Sequence, residues 1–157
     1  MKSWDRRALE GLPLRLLIMS LLISLTVPVV MGSVESYDRS TARSAMVSEA
    51  ERFVGVVEEV MSSGEGNRRI VSVFLPQDVD RFHYAIEIGG AMGTTSSLTV
   101  RCTCDGMPFT TLAPESPPAR MVLLGGTMLR LEGGEHTLAV ECVHMQERMV
   151  AVVEVVE

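Results

Sequence analysis

Residues 16–34 read LLIMSLLISLTVPVVMGSV, nineteen positions without a charge, set between a basic leader and a long polar remainder. A bilayer is crossed by about 20 apolar residues in a helix, so Leu16 to Val34 is predicted to be a transmembrane segment, and it sorts the rest of the chain. Residues 1–15 become a cytoplasmic leader, and the chain beyond the anchor lies on the far side of a cell membrane. The leader carries Lys2, Arg6, Arg7 and Arg15 against Asp5 and Glu10; a basic flank stays inside, which predicts an N-terminus in the cytoplasm and an extracytoplasmic C-terminal domain. Arg15 stands where its stem can lie along the acyl chains while its charge reaches the headgroups. Pro28 is tolerated in a spanning helix as a kink. A cleaved secretory signal is the rival reading, with an apolar core from Leu16 to Val27, a break at Pro28 and a processing site at Val30-Met31-Gly32 before Ser33. The apolar run continues through Val29, Val30 and Met31, however, and length favours a retained anchor.

Beyond the anchor about 120 residues remain, enough for one small domain with a modest core. Residues 33–157 carry 10 Arg against 18 Asp and Glu. An acidic surface lacks the cationic footprint that phosphate-backbone binding requires, which argues against nucleic acid as a partner.

Residues 35–63 place Ala42, Met46, Ala50, Phe53, Val57 and Val60 at spacings of three and four, the stripe of an amphipathic helix continuing from the membrane. Glu35 with Arg39 and Glu49 with Arg52 are helix-spaced ion pairs. The stripe either packs on the domain's own sheet or serves as an assembly face shared with neighbouring subunits. Gly64 and Gly66 end the helix.

From Arg68 onward the period changes from 3.6 to 2, and turn signals recur, so 68–157 is expected to be a β domain: a small antiparallel sheet or β-sandwich, making the whole chain α+β. Strands are predicted at Arg69 to Leu75, Phe82 to Ile88, Leu98 to Cys104, Arg120 to Leu124, Thr127 to Leu131, Thr137 to Val143 and Met149 to Val156. The turns are Gln77-Asp78-Val79-Asp80 after Pro76, Gly89-Gly90, Asp105-Gly106, and Gly125-Gly126 as a two-residue hairpin. The proline-rich stretch from Met107 to Arg120 is expected to be a surface loop or irregular edge. The last strand, MVAVVEVV, is the most apolar and therefore central or covered by the helix.

Three cysteines carry most of what chemistry the sequence suggests. Cys102 and Cys104 share a strand face, and Cys142 shares one with Leu138 and Val140. Outside the cytoplasm a disulfide from Cys142 to Cys102 or Cys104 would stabilise a small domain by about 2–4 kcal/mol. A metal site built from Cys102, Cys104, Cys142 and His144 is the sharper alternative, and three buried thiols the plainest. Asp78-x-Asp80 reads as a solvated turn. Gly89-Gly90-Ala91-Met92-Gly93 lacks the Lys-Ser or Lys-Thr of a phosphate loop. His83 and His136 read as surface residues, and no nucleophile–base spacing or cofactor motif emerges. These features point to a non-enzymatic protein, with an exported binding module for a ligand, metal or partner protein as the second reading.

A basic pair and small residue, Arg6-Arg7-Ala8, stands ahead of Leu9-Glu10-Gly11, and Gly64-Glu65-Gly66-Asn67 joins a long helix to an alternating strand that ends at Pro76. In these features and in its order of parts the chain resembles the type IV pilin-like proteins of archaea. The resemblance implies prepilin-type cleavage before Leu9 or Leu12, self-association or contact with other pilin-like subunits through the apolar helix, and a β head that makes contacts at the cell surface.

Overall fold

The computed structural model describes residues 6–77, 82–91, 93–123 and 128–156, with side chains from residue 13 onward. The predicted turn at Asp78 to Asp80 and the Gly125-Gly126 pair lie outside these residues. One helix, α1 (Arg6–Ser63), is followed by eight strands: β1 (Arg68–Leu75), β2 (Tyr84–Ile88), β3 (Val100–Cys104), β4 (Met107–Leu112), β5 (Arg120–Leu123), β6 (Leu129–Glu132), β7 (Gly134–Met145) and β8 (Arg148–Val156). The fold is α+β, with two four-stranded, mostly antiparallel sheets in the orders β1-β7-β8-β5 and β4-β3-β2-β6. The chain divides into two compact units, Met1–Ser40 and Thr41–Glu157, and α1 contributes to both.

In the second unit one core joins α1 to both sheets. Met46, Ala50, Phe53, Val57 and Val60 are enclosed with Val73 and Leu75 of β1, Ile86 and Ile88 of β2, Val100 of β3, and Leu138, Val140 and Val153 of β7 and β8. Of the two roles expected for the stripe Ala42, Met46, Ala50, Phe53, Val57 and Val60, the structure shows the packing on the domain's own sheets, and the assembly-face role is corrected for these side chains. Every member is buried in the domain's own core, which leaves no seam there for a neighbouring subunit.

Helix and sheet are also joined by polar contacts that manage a sheet edge. β1 lies at the border of its sheet, where unpaired backbone groups invite aggregation. There the Arg52 guanidinium donates to the Ser72 carbonyl, and Glu49 Oε2 accepts the Phe74 N–H at 3.2 Å. Arg52 also pairs with Glu49 at 2.5 Å, so the predicted helical ion pair doubles as the edge cover. Further along α1, Glu58 Oε1 accepts the N–H groups of Glu115 (2.7 Å) and Ser116 (3.2 Å), tying down the proline-rich connection. The helix ends as its sequence requires. Gly64 takes φ +89°, and the Asn67 side-chain amide donates to the Ser63 carbonyl at 2.7 Å, satisfying one of the orphan groups of the last turn.

Two expectations about the sheets are corrected and one is narrowed. Arg120 to Leu124 and Thr127 to Leu131 do not form a hairpin: β5 pairs in parallel with β8, whereas β6 pairs with β2 in the other sheet. Met107–Leu112, within the proline-rich stretch, takes the irregular-edge alternative and not the loop: it is a strand at a sheet border. It accommodates Pro108, which has no N–H to donate, through a register shift between Cys102 and Thr103 of β3. Leu98 closes a short 3-10 helix, Thr95–Leu98, and β3 starts at Val100. The apolar last strand does occupy an interior position, between β7 and β5.

Inside the second sheet β2 is buried along its length except at Glu87. Register sets Glu87 opposite Arg101 on one side and Arg130 on the other. Its carboxylate, 12% exposed, lies 3.2 Å from Arg101 and 3.7 Å from Arg130. A charge that would be costly alone is held between two cations.

Candidate functional site

The first unit carries the feature with the clearest physical demand. From Leu14 to Val34 the large apolar side chains of α1 are exposed, among them Leu16, Leu17, Leu21, Ile23, Leu25, Val30 and Met31. This is the one helix among the described residues long and apolar enough to cross a membrane, and none of its apolar window is buried within the protein. At about 1.5 Å per residue, Leu16 to Val34 spans roughly 28 Å, close to the hydrocarbon thickness of a bilayer.

The polar side chains of this run are what a lipid environment tolerates. Ser20 donates to the Leu17 carbonyl (3.0 Å), Ser24 to that of Ser20 (2.8 Å), Thr26 to that of Leu22 (2.9 Å) and Ser33 to that of Val29 (2.9 Å). Each hydroxyl therefore has its partner on the helix itself, and no donor is left to seek water. Pro28 lies inside the helix and lacks the N–H that the Ser24 carbonyl would otherwise accept. Polar residues resume beyond Val34, where Arg39 pairs with Glu35 at 3.1 Å in the predicted i,i+4 arrangement and Tyr37 is exposed.

The cysteine constellation does not assemble. Cys102 and Cys104 lie on β3 of one sheet and Cys142 on β7 of the other, so the single sheet face expected for them does not exist. All three thiols are buried and free, with no disulfide formed. His144 is exposed whereas Cys142, two residues before it, is fully buried. Among the described residues no group of three or more metal-ligating side chains converges. Of the other histidines, His83 is exposed as expected, whereas His136 is half-buried with Nε2 2.6 Å from the Glu132 carbonyl.

What the thiols share is burial. Removal from water pushes Cys102 up to about 11, with the Glu51 carboxylate adding to the effect, and its Sγ lies 3.9 Å from the Met46 carbonyl, an acceptor suited to the protonated form. Cys142 is raised by the same burial, assisted by Glu65. A raised thiol pKa means that the folded state holds its proton more tightly than the unfolded one, whose value is 9.0. The associated stability is fully present below pH 9 and is lost as pH rises from there towards about 11, while the unfolded chain ionises first. Native protein is therefore expected to resist thiol alkylation at pH 8 and to react at all three cysteines once denatured. Its urea midpoint is expected to fall between pH 9 and 11. Rapid native alkylation of Cys102 would contradict this assignment.

The glycine-rich stretch has a packing role that its sequence does not announce. A Cβ on Gly89, which takes φ +68°, would stand 2.6 Å from the Met121 carbonyl oxygen, and one on Gly90 would stand 2.8 Å from Ser96 Cβ. These glycines let the end of β2 approach β5 and the short 3-10 helix.

No protein-family model, curated protein or solved structure matches the chain. Its class is therefore stated from the structure: an α+β protein with one long apolar N-terminal helix and a β-rich second unit, a build that fits a membrane-anchored protein.

Proposed function

We propose that this chain is a non-enzymatic, membrane-anchored cell-surface protein of pilin-like build, with its N-terminus in the cytoplasm and its β head exported. The helix holds the protein in the bilayer or in an assembly of like helices, and the head makes the surface contacts. One observation carries the reading: a bilayer-length run of exposed apolar side chains whose hydroxyls are all bonded back to their own helix. The basic leader supports the orientation.

The division of α1 supports the pilin-like build. Its stripe from Ala42 to Val60 is consumed by the head's core, whereas the apolar surface from Leu14 to Val34 is left exposed for helix-to-helix contact. Neither predicted cut leaves a glutamate at the fifth position, and Pro13 and the charged Arg15 fall within the first seven residues after either cut. These departures favour anchoring over growth of a filament.

The test is the intact mass of the protein recovered from its native cell envelope, combined with an alkaline carbonate wash. The expected chain retains Leu16 to Val34 and stays in the membrane pellet. A start at Leu9 or Leu12 would add prepilin-type processing and make assembly the role of the helix, whereas a start at Met1 would leave simple anchoring. A start at Ser33 would overturn the proposal, because signal peptidase would have removed the anchor.

A further inference from the structure

A cleft of about 430 Å3 in the second unit is lined by Gly93, Arg120, Met145, Gln146, Arg148 and Val150. It is built where the glycine-rich stretch meets the sheet. The approach of Gly89 and Gly90 to β5 and the 3-10 helix brings Ser97 beside Arg120. Ser97 is fully buried, donates its hydroxyl to the Thr94 carbonyl at 2.7 Å and accepts from Arg120 Nη1 at 3.2 Å. The Arg120 guanidinium is thereby aimed by a neutral group, which leaves its charge uncompensated.

Register supplies the second cation. Arg120 pairs with Val150 across the parallel β5–β8 ladder, and Arg148 is two residues before Val150 on the same side of β8. The two arginines are diagonal neighbours across the ladder, and both line the cleft. Six other arginines of this acidic chain, Arg39, Arg52, Arg68, Arg69, Arg101 and Arg130, have carboxylate partners. Among the described residues Arg120 and Arg148, like Arg15 and Arg43, have none, and no carboxylate lines the cleft. Gln146 completes the rim at φ +50° in the turn between β7 and β8, a backbone region that glycine or asparagine occupies at less cost.

We propose that this cleft binds a small phosphate monoester. Two planar guanidinium groups offer more donors than one carboxylate can accept and match a dianionic tetrahedral oxyanion. The Gln146 amide supplies a further donor. Met145 and Val150 provide an apolar wall for the substituent that the phosphate carries.

The test is a titration of the full-length protein in non-ionic detergent, at low ionic strength, with inorganic phosphate and with phenyl phosphate. Saturable binding is expected for both, with phenyl phosphate the tighter, and with the backbone amide signals of Gly93 and Gln146 shifting on binding. Arg148 is exposed, so Arg148→Gln is expected to leave the thermal midpoint unchanged while weakening phenyl phosphate at least about tenfold, as loss of a charge-assisted hydrogen bond does. Arg43→Gln, on the α1 surface over Phe109, is expected to leave affinity as it was. Absence of saturation by roughly 10 mM, or equal affinity in Arg148→Gln, would overturn the assignment.

Discussion

Replacing Leu22 and Leu25 together by arginine is expected to move the protein out of the carbonate-resistant membrane fraction. Both side chains are exposed, at 57% and 69%, in the middle of the apolar run, and their i,i+3 spacing puts them on one helix face. At the centre of a bilayer each exchange of leucine for arginine costs about 3 kcal/mol on the insertion scale. Two such costs shift the partition between inserted and uninserted chains by about four orders of magnitude, more than snorkelling from mid-membrane recovers. Leucine-to-alanine changes at the same two positions keep the stretch uncharged and are expected to leave the protein in the membrane. The described core contains no residue before Ala42, so the variant challenges the anchor without removing a core side chain. If the arginine variant stayed in the carbonate-washed pellet, the apolar run would not be the anchor and the proposed function would fall with it.

The parts of this molecule that were legible in the sequence are those in which the signal is local. Nineteen uncharged residues, a stripe at three- and four-residue spacing, and Gly64 with Gly66 at a helix end each specify structure within a few turns, and each appears where it was expected. The positions of seven of the eight strands were legible to within a few residues for the same reason, β4 being the exception. Partners were not. A period of two says which residues share a face but not which strand lies alongside, so the parallel ladder between β5 and β8 and the separation of β3 from β7 into different sheets came from long-range packing that one sequence does not encode locally. The expected disulfide is not formed: Cys102, Cys104 and Cys142 alternate correctly on their strands and all enter the one core, but as free thiols, and which of them lie face to face is set by the pairing of whole sheets. The candidate cleft was invisible in the same way, because Arg120 and Arg148 are 28 positions apart and become neighbours through the parallel pairing alone. Gly89 and Gly90 stand out in the sequence, but their reason lies in backbone atoms of Met121 and in Ser96, which no local motif connects to them.

Phe53→Ala is expected to remove a large part of the stability of the second unit. Phe53 is 1% exposed and sits in the middle of the buried stripe of α1, within the cluster that includes side chains of both sheets. Truncating a buried phenylalanine costs about 3–5 kcal/mol, from the lost transfer energy and from the cavity that an interior built from several elements cannot collapse to fill. Domains of this size are stable by only about 5–15 kcal/mol, so the thermal midpoint of the full-length protein in detergent is expected to fall by roughly 10–25 °C. Tyr37→Ala, at a side chain that is 72% exposed, is expected to move it by no more than a degree or two. The comparison also separates the two uses that the stripe could have had. A helix seam between subunits would make Phe53→Ala abolish association while leaving the thermal midpoint of the isolated protein unchanged. A face consumed by the protein's own core gives the opposite result, because the phenyl ring then fills space between α1 and the sheets whether or not another copy is present. A drop of less than a few degrees would therefore return the stripe to the role of an assembly surface and detach the helix from the core described for it.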